Sequence, residues 1–294
     1  MITDRPPSDE AEFEAQRTRL VGLAYRITGS LTTAEDIVQD AWLRWERTDR
    51  TIIEHPAAWL TTVTSRLALD HLKSAQHERE TYVGPWLPEV AVTEPGPAEQ
   101  AELAESVTIG FLTVLERLGP AERVVFLLAD VFATPFDDIA KVVDKSPEAC
   151  RQIASRARLR VREGRPRFAP TDDDAWQVAM AFLTAAQVGD LDALVSLLAD
   201  DALAISDGGA DHHAARRPIV ADRIPRFVAN LATRMPEGAE LVALPINGEP
   251  GLAVSKDGRA IMAIAVSVAE GQVQRLWSIL NPDKLRALSS RPVP

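Results

Sequence analysis

The stretch from Pro135 to Arg160, PFDDIAKVVDKSPEACRQIASRARLR, leaves a chain like this few folds to choose from. Phe136, Ile139, Ala140 and Val143 recur at helical spacing, so one face of a first short helix can be buried. Asp144-Lys145 makes a tight turn. Ser146 is then placed to cap a second helix, with Pro147 at its first position and Glu148 in its first turn. That helix buries Ala149, Cys150, Ile153 and Ala157 and turns Arg151, Gln152, Ser155, Arg156, Arg158 and Arg160 outward. A small apolar back, a front of Arg and Gln, and a bracing first helix describe a helix-turn-helix recognition element. Arg and Gln bond base edges in the major groove, and the Arg run behind them suits phosphates. A solvated basic face on a helical hairpin is the plainer alternative. Cap, turn and side-chain placement agree with each other, and that agreement favours DNA binding.

The charge of the whole chain points the other way, at −11. Its distribution resolves the conflict. Between Lys141 and Arg167 the Lys and Arg outnumber the Asp and Glu, whereas Glu89 to Glu122 is acidic with Arg117 as its one cation. An acidic protein with one strongly basic helix binds naked DNA weakly and is expected to bind it with help from a partner. A single cysteine rules out an internal disulfide and a multi-cysteine zinc site, and Cys150 falls on the apolar side of the recognition helix. The polar, acidic start and the lack of about 20 consecutive apolar residues lead us to expect a cytoplasmic protein without a membrane partner.

Taken in order, residues 13 to 80 read as three helices. The first carries Phe13, Leu20, Leu23, Ala24 and Ile27 and stops near Gly29. Thr32 or Thr33 is expected to cap the second, whose apolar stripe is Ile37, Val38, Ala41, Trp42 and Trp45 and whose polar side holds Asp36, Gln39, Asp40 and Arg44. After a loop at 48–55, Pro56 opens the third helix, burying Trp59, Leu60, Val63 and Leu67, with Arg66 and Lys73 on one outer side. Tyr82 to Gly96 is rich in proline and lacks helical or strand patterning, yet holds Trp86 and Leu87, which a pure spacer does not need. Helices resume from Ala98 to Gly164. From Asp173 two helices, ending at Asp201, lead into a hairpin closed at Asp207-Gly208-Gly209. A helix broken by Pro225 and four strand-like runs follow, and Asn281 caps a last short helix. Helices followed by a curved antiparallel sheet predict an α+β cone.

DIVQDAWLRW (36–45), PAAWLTTVTSRLALDHL (56–72) and the run 118–161 together resemble bacterial sigma factors of the extracytoplasmic-function class. The resemblance covers about the first 165 residues. The remainder looks like a SnoaL-like (NTF2-like) domain, as in a sigma subgroup that carries it fused at the C-terminus. Trp86-Leu87-Pro88-Glu89, Asp207-Gly208-Gly209 and Asn281-Pro282-Asp283-Lys284-Leu285 carry that second likeness, with Val90 where the subgroup has Pro and Ala210 after the glycines. The implied chain is multidomain: an all-α sigma domain 2 at 10–81, a Pro-rich linker at 82–97, an all-α sigma domain 4 at 98–166, a short linker at 167–172 and the cone at 173–294. The resemblance implies that Asp36, Gln39, Asp40 and Arg44 bind core RNA polymerase. It also implies that Trp59, Arg66 and Lys73 meet the melted −10 element, Arg66 standing where such sigmas commonly have Asn. Arg151, Gln152, Ser155, Arg156 and Arg158 would meet the double-stranded −35 element. The subgroup's extra domain is thought to regulate the sigma in place of a separate anti-sigma protein. The regulatory contacts then fall to Trp86, Leu87, Pro88, Asp207, Gly208, Gly209, Asn281, Pro282, Asp283, Lys284 and Leu285.

Two other readings compete. Cones of this kind also host isomerases and cyclases with an Asp or His general base, for which Asp207, Asp211, His212 and His213 are candidates. A ligand-responsive helix-turn-helix regulator is the other, but it leaves the 36–45 helix without a task. No metal-ligand spacing, nucleophile motif or phosphate loop is present, so neither a metal nor a cofactor is expected, while an unidentified small ligand in the cone stays open.

Overall fold

The computed structural model describes residues 9–80, 82–92, 108–164, 173–210, 212 and 214–289. They form two compact units, one of residues 1–77 and 115–163, the other of 78–114 and 164–294.

The first unit is helical. α1 (Asp9–Thr28) ends at Gly29, whose φ of 72° needs a residue without Cβ. α2 (Leu31–Arg47) is capped by Ser30, whose hydroxyl accepts from the Thr33 N–H at 3.1 Å. The expected cap at Thr32 or Thr33 is therefore corrected: the Gly29 turn delivers Ser30 first, and the threonines fall inside the helix. A single turn of 3₁₀ helix at Arg50–Ile52 interrupts the 48–55 loop, and α3 (Pro56–Glu80) follows. Phe13, Leu20, Val38, Trp45 and Leu60 form the shared core. Trp42, expected in the buried stripe, is half-buried and stacks on Phe13. In the same unit α5 (Pro120–Phe126) runs on as a π turn to Val131, and α6 (Phe136–Val143) and α7 (Pro147–Gly164) follow. Asp144 at φ 53° closes α6, and Ser146 caps α7 through the Ala149 N–H. The residue buried at the end of α6 is Val142, with Val143 half-buried.

The second unit holds the strap 82–92, α4 (Ile109–Leu115) as far as Val114, and the C-terminal α+β domain. The helical reading of 98–107, including Val107, lies outside the described residues. α8 (Asp173–Val188) and α9 (Leu191–Leu197) precede β1 (Leu198–Asp207). The sequence led us to continue α9 to Asp201, but Leu198–Asp201 belong to β1, whose pairing with β6 starts at Leu198 and resumes at Leu203 after a bulge. Then come β2 (Ile219–Val220), α10 (Ile224–Thr233), β3 (Glu240–Ile246), β4 (Glu249–Lys256), β5 (Arg259–Ala269) and β6 (Gln272–Ile279). Pro225 does not break a helix. It sits in the first turn of α10, where its missing N–H costs nothing.

The sheet order is β2-β1-β6-β5-β4-β3. The expectation of an all-antiparallel sheet fails at one pair: β1 and β6 run parallel, which the long path between them permits. The hairpin expected around Asp207–Gly209 is a longer excursion to the two-residue β2. Register shifts in the β1–β6, β4–β5 and β5–β6 pairs bend the sheet. Strand alternation gives it two apolar faces. Leu252, Ile264 and Leu276 pack with Phe182 and Val228 of α8 and α10, while Ala263, Ala265, Trp277 and Ile279 pack with Leu87 and Val90 of the strap and with Ile109.

Candidate functional site

On α2, Asp36, Gln39, Asp40 and Arg44 are all exposed, while Ile37, Val38, Ala41 and Trp45 are buried. The helix period separates the two sets, so the polar side is a continuous strip carrying two carboxylates, an amide and a guanidinium. On α3 Arg66 and Lys73 are exposed. Trp59 is half-buried, its ring 5.6 Å from that of Trp45, so it is at least in part a core residue.

On α7 the exposed set is Arg151, Gln152, Ser155, Arg156, Arg158 and Arg160, behind which Cys150, Ile153 and Ala157 are buried. Ala149 is half-buried. Arg151 lies 5.5 Å from the ring centre of Phe136 and 3.4 Å from Glu148. Arg158 is tied to Asp130 at 2.8 Å and Arg160 to Glu122 at 2.5 Å. Within this unit α3 and α6 meet: Arg66 donates through Nη2 (2.6 Å) and Nε (3.2 Å) to the Lys141 carbonyl. Sequence reasoning missed Arg123. It is buried in α5 and donates through Nη1 to the Ile27 carbonyl at 2.9 Å and to Glu116 at 2.6 Å, tying α5 to the end of α1. A charged residue set directly against the apolar run VVFLL (124–128) was the available signal.

In the second unit one carboxylate gathers the strap. Asp207, at the end of β1, is 1% exposed. Its Oδ1 accepts from the Tyr82 hydroxyl (2.5 Å) and the Gly209 N–H (3.0 Å); its Oδ2 accepts from the Leu87 N–H (2.7 Å) and Lys284 Nζ (2.5 Å). Lys284 Nζ also donates to the Leu87 carbonyl and lies 4.2 Å from the ring centre of Trp86 and 4.7 Å from that of Tyr82. Asn281 donates to the Tyr82 oxygen at 2.9 Å and caps the turn at Pro282–Lys284 by accepting from the Asp283 N–H. Burial, and then the bond to Asp207, hold the Tyr82 phenol well above its usual pKa range.

The glycines are required by close approach. A Cβ on Gly208 would stand 2.4 Å from the His212 carbonyl oxygen, and one on Gly209, at φ 62°, 2.9 Å from the Asn281 amide nitrogen. Leu87, Pro88 and Leu285 are buried, Trp86 is half-buried, and Pro282 and Asp283 are exposed. Val90 donates its N–H to the Lys284 carbonyl at 2.9 Å, a bond that a proline at this position could not make. Further along, Ala91 exchanges two hydrogen bonds with Asn247, and Val92 bridges Ile246 on the edge strand β3. The residues Trp86–Pro88, Asp207–Gly209 and Asn281–Leu285 thus come together; Tyr82 and Asn247 are the members that sequence reasoning did not single out. Tyr82 is one of two tyrosines in the chain, which was the only hint.

Of the residues considered for general-base chemistry, Asp207 is consumed by this network, and His212 is exposed. Asp211 and His213 lie outside the described residues. Among the described residues no group of His, Cys, Asp or Glu is placed to hold a metal ion, and no helix is long and apolar enough to cross a membrane.

Comparison with known proteins bears on both halves. The sigma-70 region 2 model matches residues 13–78, and the sigma-70 region 4 model matches residues 110–161. The ECF RNA polymerase sigma factor SigJ of Mycobacterium tuberculosis is 44% identical over 290 residues, spanning 93% of this chain and 92% of that protein. The probable ECF sigma factor SigI of the same species is 34% identical over 282 residues, with 95% of each chain covered. The crystal structure of SigJ superposes with a TM-score of 0.75 at 41% identity, covering 95% of this chain and 98% of that one. Two helical sigma regions, a recognition helix with its basic front outward, and likeness along nearly the whole length to such proteins lead to one conclusion: the chain belongs to the extracytoplasmic-function sigma factors, alternative sigma subunits that bind core RNA polymerase and direct it to promoters.

Proposed function

We propose that this sigma factor carries its own regulator, and that the strap at 82–92 is the part through which the α+β domain acts. Asp207 carries the reading. A fully buried carboxylate that accepts from Tyr82, Leu87, Gly209 and Lys284 ties three remote stretches of chain to one point. Removing one member of a buried ion pair leaves the other charge uncompensated, at a cost of about 3–5 kcal/mol. The strap therefore releases as a unit or not at all. It follows α3 in the chain and precedes the region-4 helices, so it lies between the two sigma regions in sequence. In the same reading Asp36, Gln39, Asp40 and Arg44 meet basic and acidic groups of the polymerase. Arg151, Gln152 and Ser155 read bases, Arg156 and Arg158 serve the phosphates, and Arg66 and Lys73 meet the −10 element.

The test is in vitro transcription from one promoter with wild-type protein, Tyr82→Phe and Lys284→Met, alongside limited proteolysis of the free proteins. Tyr82→Phe removes one donor and keeps the ring; Lys284→Met strands Asp207. Expected are faster cleavage within 82–92 and altered transcription in both, larger for Lys284→Met. Transcription equal to wild type in a variant whose strap is cleaved faster would remove the regulatory role.

A further inference from the structure

On the opposite side of the sheet from the strap is a cavity of about 250 Å³. Phe182 and Ala186 of α8, Leu231 and Ala232 of α10, and Ile264 and Leu276 of the sheet enclose it. Its inner wall is buried and apolar: Phe182 is 0% and Leu276 1% exposed. Leu241 on the edge strand β3 is 39% exposed and lies at the open side, as does Gln187, the one polar side chain of the lining among the described residues. Among the described residues no charged or titratable group contributes to the wall.

We propose that this cavity binds a small, uncharged, largely apolar molecule, and that it binds without transforming it. An ionic ligand would lose its hydration and meet no opposite charge there, a penalty of several kcal/mol. Water gains little in such a space, because it needs two to four polar partners; dry apolar cavities take up apolar guests instead. The volume lies just under the range of drug-sized pockets, which sets the guest at roughly ten to fifteen non-hydrogen atoms, with room for one polar group at Gln187. The described wall offers no general base, which must be within hydrogen-bond reach of the proton it takes, and this is why we assign binding without reaction.

Strand alternation makes this site independent of the strap. Ile264 and Leu276 face the cavity, while their neighbours Ala263, Ala265 and Trp277 face Leu87 and Val90, so guest and strap occupy opposite faces of the same two strands. The ligand is not a competitor of the strap, and its binding can be measured whether or not the strap regulates transcription.

1-Naphthol serves as the probe, with naphthalene-1-sulfonate as a charged molecule built on the same rings. The full-length free protein at pH 7 is titrated with each, following naphthol fluorescence and the heat of binding. Expected is saturable binding of one 1-naphthol per chain, with the sulfonate weaker by roughly tenfold or more. Ala232→Phe and, as a second filling variant, Ala186→Leu should each weaken 1-naphthol by a similar factor while unfolding cooperatively like wild type. Absence of 1-naphthol binding to folded wild-type protein would overturn the proposal. Sulfonate binding as tight as naphthol would do the same, as would naphthol binding that ignores both fillings in folded variants.

Discussion

At Asp207 four donors meet two oxygens, and that saturation is what allows a carboxylate to be buried so completely. The neighbouring contact of Val90 is of a different kind. It is a single backbone bond to the Lys284 carbonyl. Val90→Pro removes the donor in a site where Val90 itself is 0% exposed. We expect the thermal midpoint of the full-length protein to fall by an amount corresponding to about 1–3 kcal/mol, with faster proteolysis at the strap. A variant as stable as wild type would mean that the strap docks here through its side chains alone. Gly208 sits at the same hub for a steric reason, and any side chain there forces the turn off the His212 carbonyl.

At the scale of elements, the sheet is a partition with chemistry on one side only. Its helix-facing side is apolar at the cavity, whereas its strap-facing side carries Glu249, 3% exposed, at the start of β4. Burial raises the Glu249 pKa well above that of a free glutamate, against smaller opposing effects of the Ile109 N–H and the Ser267 hydroxyl, which donate to it. The folded protein therefore keeps a proton that the unfolded chain has already released. Stability from this group is complete below the ordinary glutamate range and declines as pH rises above it. Glu249→Gln keeps the shape and removes the titration. Between pH 5 and pH 8 we expect the thermal midpoint of wild type to fall more than that of the variant, other groups contributing equally to both. Parallel pH dependences would show that Glu249 does not titrate across this range. Ile109, whose N–H donates to this carboxyl, is the first residue of α4.

For the whole molecule, the contact of Arg66 with the Lys141 carbonyl decides what the free protein can do. In the proposed reading α3 meets the −10 element and α7 the −35 element. Twenty-five base pairs of B-DNA at about 3.4 Å each put these roughly 85 Å apart, whereas α3 and α6 touch. Both elements cannot be read in this arrangement, and Arg66 cannot donate to α6 and to a promoter together. With Cys150→Ala as background and labels on cysteines placed at Lys73 and Lys145, the label distance should lengthen by several tens of ångströms, on the order of the promoter spacing, when the protein joins core polymerase on promoter DNA. A distance unchanged in the assembled complex would refute opening.

What the sequence determined on its own is what local chemistry controls. The turn at Asp144, the cap at Ser146 and the alternation of Arg with Ala and Ile are read within a few residues of one another, so α6, α7 and their exposed front were legible. So was the polar strip of α2, because a helix period separates Asp36, Gln39 and Asp40 from Ile37, Val38 and Ala41 without help from any neighbour. Tertiary structure decided whatever depends on pairing across the chain. The parallel β1–β6 pair turned Leu198–Asp201 from helix to strand, because Leu198 gained a ladder partner at Val273 and the pairing resumes at Leu203. Asp207 reads locally as a turn residue; only the meeting of 82–87, 207–209 and 281–284 makes it the centre of a network. The cavity was the least legible of all, since Ala186, Ala232, Ile264 and Leu276 are ordinary core residues one by one, and an unfilled space between elements is written in no single stretch of chain.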